Sequence, residues 1–425
     1  MRSKFIFFLL ASFFAGPLLV GCGGRPTPQS RTGDNSTEYV TAGEQVQALL
    51  GPSIVNVFVE NSGSMDGYVK GVTEFEQAVY SYISDIKICD DVCLEMNLYY
   101  INSKKLKQPD NVADFIEKLE PASFRLKGGN RQTTDLSNVI GDVVSEQKPE
   151  EINILVSDCV FSPGRGKNAN EYLVNQQIGI KGHIANKLKE NPNFAVIVYQ
   201  LNSNFDGTYY NCFDQGTKIN NQRPFYILIF GDKDRLHMLT DKVSVSKIKG
   251  SGVKHSYYIS NSTVKPDYGI LVMPKIGSFQ PDPRNPKTGI VKAKVDKRNP
   301  TKPFSVSVGA NFSSLLLEDE YICNVDNYTI SNKSYELSIG KSKNPAYTHT
   351  LTLSLTSPII SKGKIDITLR KLNSSWAEEM TDEDGKDIMA PGAMEKTFGL
   401  KYLIDGIYDA YSNDKQYANL GIIIQ

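Results

Sequence analysis

The first strongly apolar segment, Ile54 to Val59, leads directly into Glu60-Asn61-Ser62-Gly63-Ser64-Met65. Hydroxyls two residues apart, just past a buried strand, can converge on one ion above the edge of a sheet. A second group, Gly128-Gly129-Asn130-Arg131-Gln132-Thr133-Thr134-Asp135-Leu136, is a glycine-led loop that sets Thr134 ahead of a helix. A third, Leu155-Val156-Ser157-Asp158, ends another apolar run in a carboxylate. All three offer hard oxygen donors, the shell preferred by Mg²⁺ and Ca²⁺. They meet only if the apolar runs are neighbouring strands with their carboxyl ends on one side.

Other chemistries find less support. Ser162-Pro163-Gly164-Arg165-Gly166-Lys167 lacks the Walker spacing, and no Ser or Thr follows Lys167, so it reads as a rim loop beyond Asp158. His183, His237, His255 and His349 are scattered, without the pairing of a zinc protease. Ser62 and Ser64 lack a Gly-x-Ser-x-Gly elbow and an assigned base, which argues against a serine hydrolase. Trp376 precedes an acidic stretch, Glu378 to Asp384, that reads as a solvated loop anchored to a β domain, with calcium or a basic partner as alternatives.

The elements that must position these groups follow from periodicity. Between about residues 50 and 245 the apolar runs Ile54–Val59, Leu94–Ile101, Ile152–Val156, Phe194–Leu201 and Phe225–Phe230 alternate with amphipathic stretches. That alternation predicts an α/β fold with a mostly parallel sheet flanked by helices. One helix carries Phe75, Val79, Tyr82, Ile83 and Ile86 on a face, another Leu136, Val139, Ile140 and Val143. After about residue 260 the pattern changes to strict alternation, as in Thr350-Leu351-Thr352-Leu353-Ser354-Leu355, and predicts a mostly β, sandwich-like C-terminal domain. The proline-bearing segment 281–303 reads as a long loop or irregular edge, and Leu400, Leu403, Ile404 and Ile407 as a helix packed on that domain.

The 425 residues carry 47 basic and 47 acidic side chains, which removes the electrostatic footprint of a nucleic-acid binder. Arg2 and Lys4 precede an apolar run, Phe5 to Val20, too short to span a bilayer. It closes on Leu19-Val20-Gly21-Cys22, which resembles the bacterial lipobox, in which the cysteine thiol receives lipid and becomes the new N-terminus. The expected division is a lipoprotein signal peptide over 1–21, a Gly/Pro/Ser-rich tether over 22–45, an α/β domain over 46–250 and the β domain over 260–425. Five cysteines remain after Cys22. In an oxidising compartment Cys89 with Cys93, and Cys159 with Cys212, are candidate disulfides, free thiols being the alternative.

Glu60, Ser62, Ser64, Thr134 and Asp158, in this order and on these kinds of elements, resemble the metal-ion-dependent adhesion site of von Willebrand factor A domains. That family's pattern is Asp-x-Ser-x-Ser, a later Thr and a later Asp, so Glu60 departs from it by one methylene. Thr133 is a substitute if the register shifts by one, while Asp66 and Asp135 read as a turn and a first-turn helix residue. The resemblance covers about residues 50–245. It implies Mg²⁺ or another divalent cation, completed by an acidic side chain of a protein partner. The whole chain is similar to envelope lipoproteins of Bacteroidetes. Gly23-Gly24-Arg25-Pro26 lacks the acidic surface-sorting signal of that group, which implies the periplasmic face of the outer membrane. The expected function is a non-enzymatic, lipid-anchored adhesion or scaffolding module. Alternatives are an envelope enzyme or assembly factor acting through its C-terminal domain or a partner, and a structural lipoprotein with a degenerate site.

Overall fold

The computed structural model describes residues 50–109, 111–131, 135–261, 265–342, 350–411 and 415–425. The expected signal segment, Cys22, the tether, Thr133 and Thr134 lie outside them.

Seven strands form the first sheet: β1 (Ser53–Glu60), β2 (Cys93–Ile101), β3 (Lys105–Lys107), β4 (Glu151–Ser157), β5 (Phe194–Tyr210), β6 (Gly216–Asp232) and β7 (Val253–Ser260). Their order is β3-β2-β1-β4-β6-β5-β7. Each apolar run read from the sequence lies in one of these strands. β1 pairs in parallel with β2 and with β4, which brings the carboxyl ends of β1 and β4 side by side. The remaining pairings are antiparallel, so the sheet is mixed, with its parallel part confined to the centre. The cause is local: β5 does not cross over through a helix but turns back directly, and the long β5–β6 hairpin inserts β6 between β4 and β5.

Among the described residues this sheet is covered by α1 (Glu74–Lys87), α2 (Val112–Glu117), α3 (Pro121–Leu126), α4 (Leu136–Val144), α5 (Ala169–Glu190) and α6 (Lys233–Lys242), and by a helix later in the chain. Strand periodicity explains why both faces need them. β1 sends Val55, Val57 and Val59 into one core and Phe58 into the other; β6 splits Ile227 and Ile229 from Leu228 and Phe230 in the same way. α1 starts at Thr73, whose hydroxyl accepts the Glu76 amide, and buries the stripe Phe75, Val79, Tyr82, Ile83 and Ile86. α4 buries Leu136, Val139, Ile140 and Val143 on the opposite face.

The second unit contains β8 (Asp267–Ile276), β9 (Ser278–Pro281), β10 (Gly289–Lys294), β11 (Phe304–Asn311), β12 (Tyr328–Ile330), β13 (Glu336–Lys341), β14 (Leu351–Ser357) and β15 (Gly363–Arg370). The short parallel pair β16 (Thr381–Asp382) and β17 (Thr397–Phe398) follows, then β18 (Gln416–Ile424). Two sheets, β12-β15-β18-β10-β9 and β13-β14-β11-β8, enclose one apolar core. Val306 and Val308, Leu351, Leu353 and Leu355, and Ile365, Ile367 and Leu369 supply that core from alternate positions. The segment 281–303, expected as a long loop or an irregular edge, contains β10, which pairs with β18 and, through an irregular register, with the edge strand β9.

Short helices α7 (Asp319–Cys323) and α8 (Ser375–Glu379) precede α9 (Leu400–Ala410). Contrary to expectation, α9 does not pack on the β domain. Leu403, Ile404 and Ile407 share a core with Leu173, Ile180 and Ile184 of α5, on the first sheet. The contact is close because Gly406 has no side chain: a Cβ there would stand 2.8 Å from the Gln177 carbonyl oxygen and 3.0 Å from the Ile180 Cβ. Each such side chain buried stabilises the contact by ~1.5–3 kcal/mol. β7 likewise joins the first sheet beyond residue 250. The chain therefore leaves the first unit, builds the sandwich, and returns over residues 371–411 before β18 completes the sandwich. Among the described residues no helix is long and apolar enough to cross a membrane.

Candidate functional site

β1 and β4, adjacent and parallel, deliver Glu60 and Ser157-Asp158 to the same edge. Past β1 the chain turns through Asn61 to Ser64, and the hydroxyls of Ser62 and Ser64 lie 3.0 Å apart. Ser64 also hydrogen-bonds the Asp158 carboxyl, and the Val160 amide donates to Asp158 Oδ1 at 3.1 Å. Asp158 is 3% exposed. Burial pushes its carboxyl above the usual range, against the pull of Ser64, the Val160 amide and the Arg223 charge. Ser62, Ser64 and Asp158 are thus brought together as the spacing suggested. Cys159, immediately after Asp158, holds a left-handed backbone with φ 52°, a strained conformation of the kind concentrated at functional sites.

Glu60 is equally buried, at 3% exposure, and takes a different partner. The Ser157 hydroxyl donates to Glu60 Oε2, while Ser157 Oγ accepts the Cys159 amide at 2.8 Å. Both carboxyl groups lie close enough to Cys159 to raise its thiol, adding to the larger effect of burial.

Arg131 pins the turn. Its guanidinium donates to the Asn61 carbonyl at 2.7 Å and the Ser62 carbonyl at 3.1 Å, and pairs with Asp66. The Gly63 amide donates back to the Arg131 carbonyl at 2.9 Å. Asn102 donates to the Asn61 side chain at 2.9 Å and to the Gly128 carbonyl at 3.0 Å, joining β1, β2 and the glycine-led loop. Asp66 also pairs with Arg125 at 3.3 Å, so it is an anchor of the turn, and Asp135 is the N-cap of α4, accepting the Asn138 amide at 3.0 Å.

Sequence reasoning missed Arg223, which is 2% exposed. It donates to the carbonyls of Ala393, Met394 and Lys396 at 3.0–3.2 Å and lies 4.7 Å from the centre of the Tyr209 ring. It fastens the returning segment to the β5–β6 hairpin beside Asp158. No motif marks Arg223; the only sign is a cation just ahead of the apolar run Phe225–Phe230.

The described cysteines, Cys89, Cys93, Cys159, Cys212 and Cys323, are free thiols. Neither expected pairing is formed. β4 is flanked by β6, not β5, and Cys212 sits at the far end of the β5–β6 hairpin, where its amide bonds to the Gly385 carbonyl. Cys89 and Cys93 close a turn by a backbone hydrogen bond of 2.9 Å. In the acidic stretch, Asp382 accepts the Asp384 and Gly385 amides while Glu383 and Asp384 pair with Lys401 and Lys386. Among the described residues no cluster of three His, Cys, Asp or Glu side chains could hold a metal. A cation at the β1–β4 edge therefore depends on serine hydroxyls as well as carboxylates. Trp376 is anchored on the first sheet, not on the β domain: its indole donates to the Ser256 carbonyl at 3.0 Å and stacks on His255. No protein-family model matches the chain, and neither does any curated protein or solved structure.

Proposed function

We propose that this chain is a lipid-anchored envelope protein that binds a protein partner at the β1–β4 edge of its first sheet. Glu60, Ser62, Ser64, Thr134 and Asp158 would hold a divalent cation, and an acidic side chain of the partner would complete its shell. The reading rests on one observation: Ser62, Ser64 and Asp158 form a connected oxygen cluster at the carboxyl ends of two adjacent parallel strands. Hard-cation chemistry fits that donor set, since the ion offsets the cost of a buried carboxylate and bridges to a second one. The chain's own part is positioning. Arg131 fixes the serine-bearing turn, and the Val160 amide orients the Asp158 carboxyl. Glu60, one methylene longer than aspartate, also accepts the Ser157 hydroxyl, so it would hold the Ser157-Asp158 corner as well as share in the cation's shell.

Calorimetric titration of Mg²⁺, Mn²⁺ and Ca²⁺ tests the site, with the thermal midpoint followed in parallel. Saturable binding should raise the midpoint by mass action, by ~2.7 kcal/mol of stability at a hundredfold excess over Kd. Ser62→Ala and Asp158→Ala should each abolish the response. A folded protein that binds none of the three ions would sink the cation. Anchoring is tested at Cys22: Cys22→Ser should move the chain from the membrane to the soluble fraction, and a variant that remains membrane-bound would refute the lipid anchor.

A further inference from the structure

A cavity of about 400 Å³ lies where the edge strand β7, the α7 region of the second unit and the returning segment near α8 meet. It is remote in composition from the β1–β4 edge and independent of the reading given to that edge. Its size suits a small organic group, and junctions between folding units are where such sites concentrate.

The walls have a consistent chemistry. Trp376, Tyr257, Tyr321 and Tyr417 supply aromatic surface. Glu318, Glu320 and Glu379 supply carboxylates, and no lysine or arginine among the described residues lines the space. Glu318 is committed to the Ser256 amide, which ties the second unit to β7. Glu320 and Glu379 are exposed and come from different helices, one from α7 and one from α8. The aromatic wall already accommodates a cation: the Lys371 ammonium rests 5.5 Å from the Tyr417 ring centre. The wall is also incomplete in itself, because the buried hydroxyl of Tyr257 has no hydrogen-bond partner among the described residues.

Aromatic faces attract cations through their quadrupole, and the carboxylates of Glu320 and Glu379 add attraction of the same sign. From this cavity, with its aromatic and acidic walls, we infer a second binding site that takes an organic cation, an alkylammonium or guanidinium group. The group belongs either to a free small molecule or to a basic side chain of a polypeptide.

Trp376 is the only tryptophan in the chain and lines the cavity, so its emission reports on occupancy without a label. The full chain in detergent micelles would be titrated with tetramethylammonium, arginine methyl ester, a short arginine-containing peptide and glucose. Saturable change with a cationic probe and none with glucose is the expected result. Response to the small cations assigns a free ligand, and response to the peptide alone assigns a polypeptide; both uphold the cation site. The Glu320→Gln/Glu379→Gln double variant should weaken the cation by about three- to tenfold, in line with two partly exposed charge contacts. These side chains are exposed, and an unchanged thermal midpoint would show that the fold survives. Equal response to glucose, no response to any cation, or an affinity unaltered in the double variant would overturn the inference.

Discussion

The first sheet and the β-sandwich bury comparable apolar strands but very different polar groups. Glu60, Asp158 and Arg223 are all buried near one edge of the first sheet, with Asn61, Ser62 and Ser157 among them. The sandwich buries Ser305, Ser307 and Ser357, of which Ser307 and Ser357 donate to neighbouring carbonyls, and the turn residue Asp282. A buried charge costs stability unless it is paired, so a core needs a reason to hold three. The sandwich is what a core without that reason looks like: alternate Leu, Ile and Val inward, Ser and Thr outward. The contrast marks the β1–β4 edge as the place where this chain gives up packing for chemistry.

The sharpest way to break that contrast is Arg223→Met. Removing a buried guanidinium takes a donor from the carbonyls of Ala393, Met394 and Lys396 and a compensating charge from Asp158, a loss of about 3–5 kcal/mol. Urea unfolding with an unchanged slope would measure it. A loss below ~1 kcal/mol would place Arg223 among weak, solvated pairs and erase the distinction between the two cores.

A smaller effect sharpens the boundary between the units. Gly406→Leu forces a side chain against the Gln177 carbonyl and Ile180 and should cost about 1–3 kcal/mol by overpacking. Amide exchange should then speed in α5 and α9 while β11 and β14 of the sandwich keep their protection. Uniform loss of protection would show that the returning segment and the sandwich unfold as one.

The smallest effect is a pH dependence carried by the first unit alone. Burial pushes Glu76 up to about 7, against the pull of the Thr73 amide. The folded chain therefore keeps this proton above the usual carboxylate range, where the unfolded chain has lost it. Stability contributed by Glu76 is present below that range and falls as pH rises through about 7. Glu76→Gln should flatten the fall between pH 5 and about 7, read as denaturation midpoint against pH. An unaltered slope in the variant would assign the dependence elsewhere.

Much of the architecture was legible because it depends on local periodicity. The five apolar runs are five strands of one sheet, and both amphipathic stripes, Phe75 to Ile86 and Leu136 to Val143, face cores as read. β7 was not legible: Val253–Ser260 is rich in tyrosine and lacks a continuous aliphatic run. The antiparallel insertion of β6 was hidden for a different reason, since a hairpin and a crossover can follow the same strand pattern. Of the site, Ser62, Ser64 and Asp158 were readable from strand ends, Glu60 was found with a different partner, and Thr134 lies outside the described residues.

By itself the sequence determined the α/β class of the first unit (but not its mixed strand directions), the alternation of the sandwich, the acidic and hydroxyl character of the β1–β4 edge, and the tether-like texture ahead of it. These follow from side-chain spacing along a few residues. Tertiary structure alone decided that α9 returns to α5, that Arg223 lies beside Asp158, and that Trp376 meets Glu320 and Glu379 around one cavity. Such contacts join residues far apart in the chain, and their energy depends on which surfaces remain uncovered once each local element has formed.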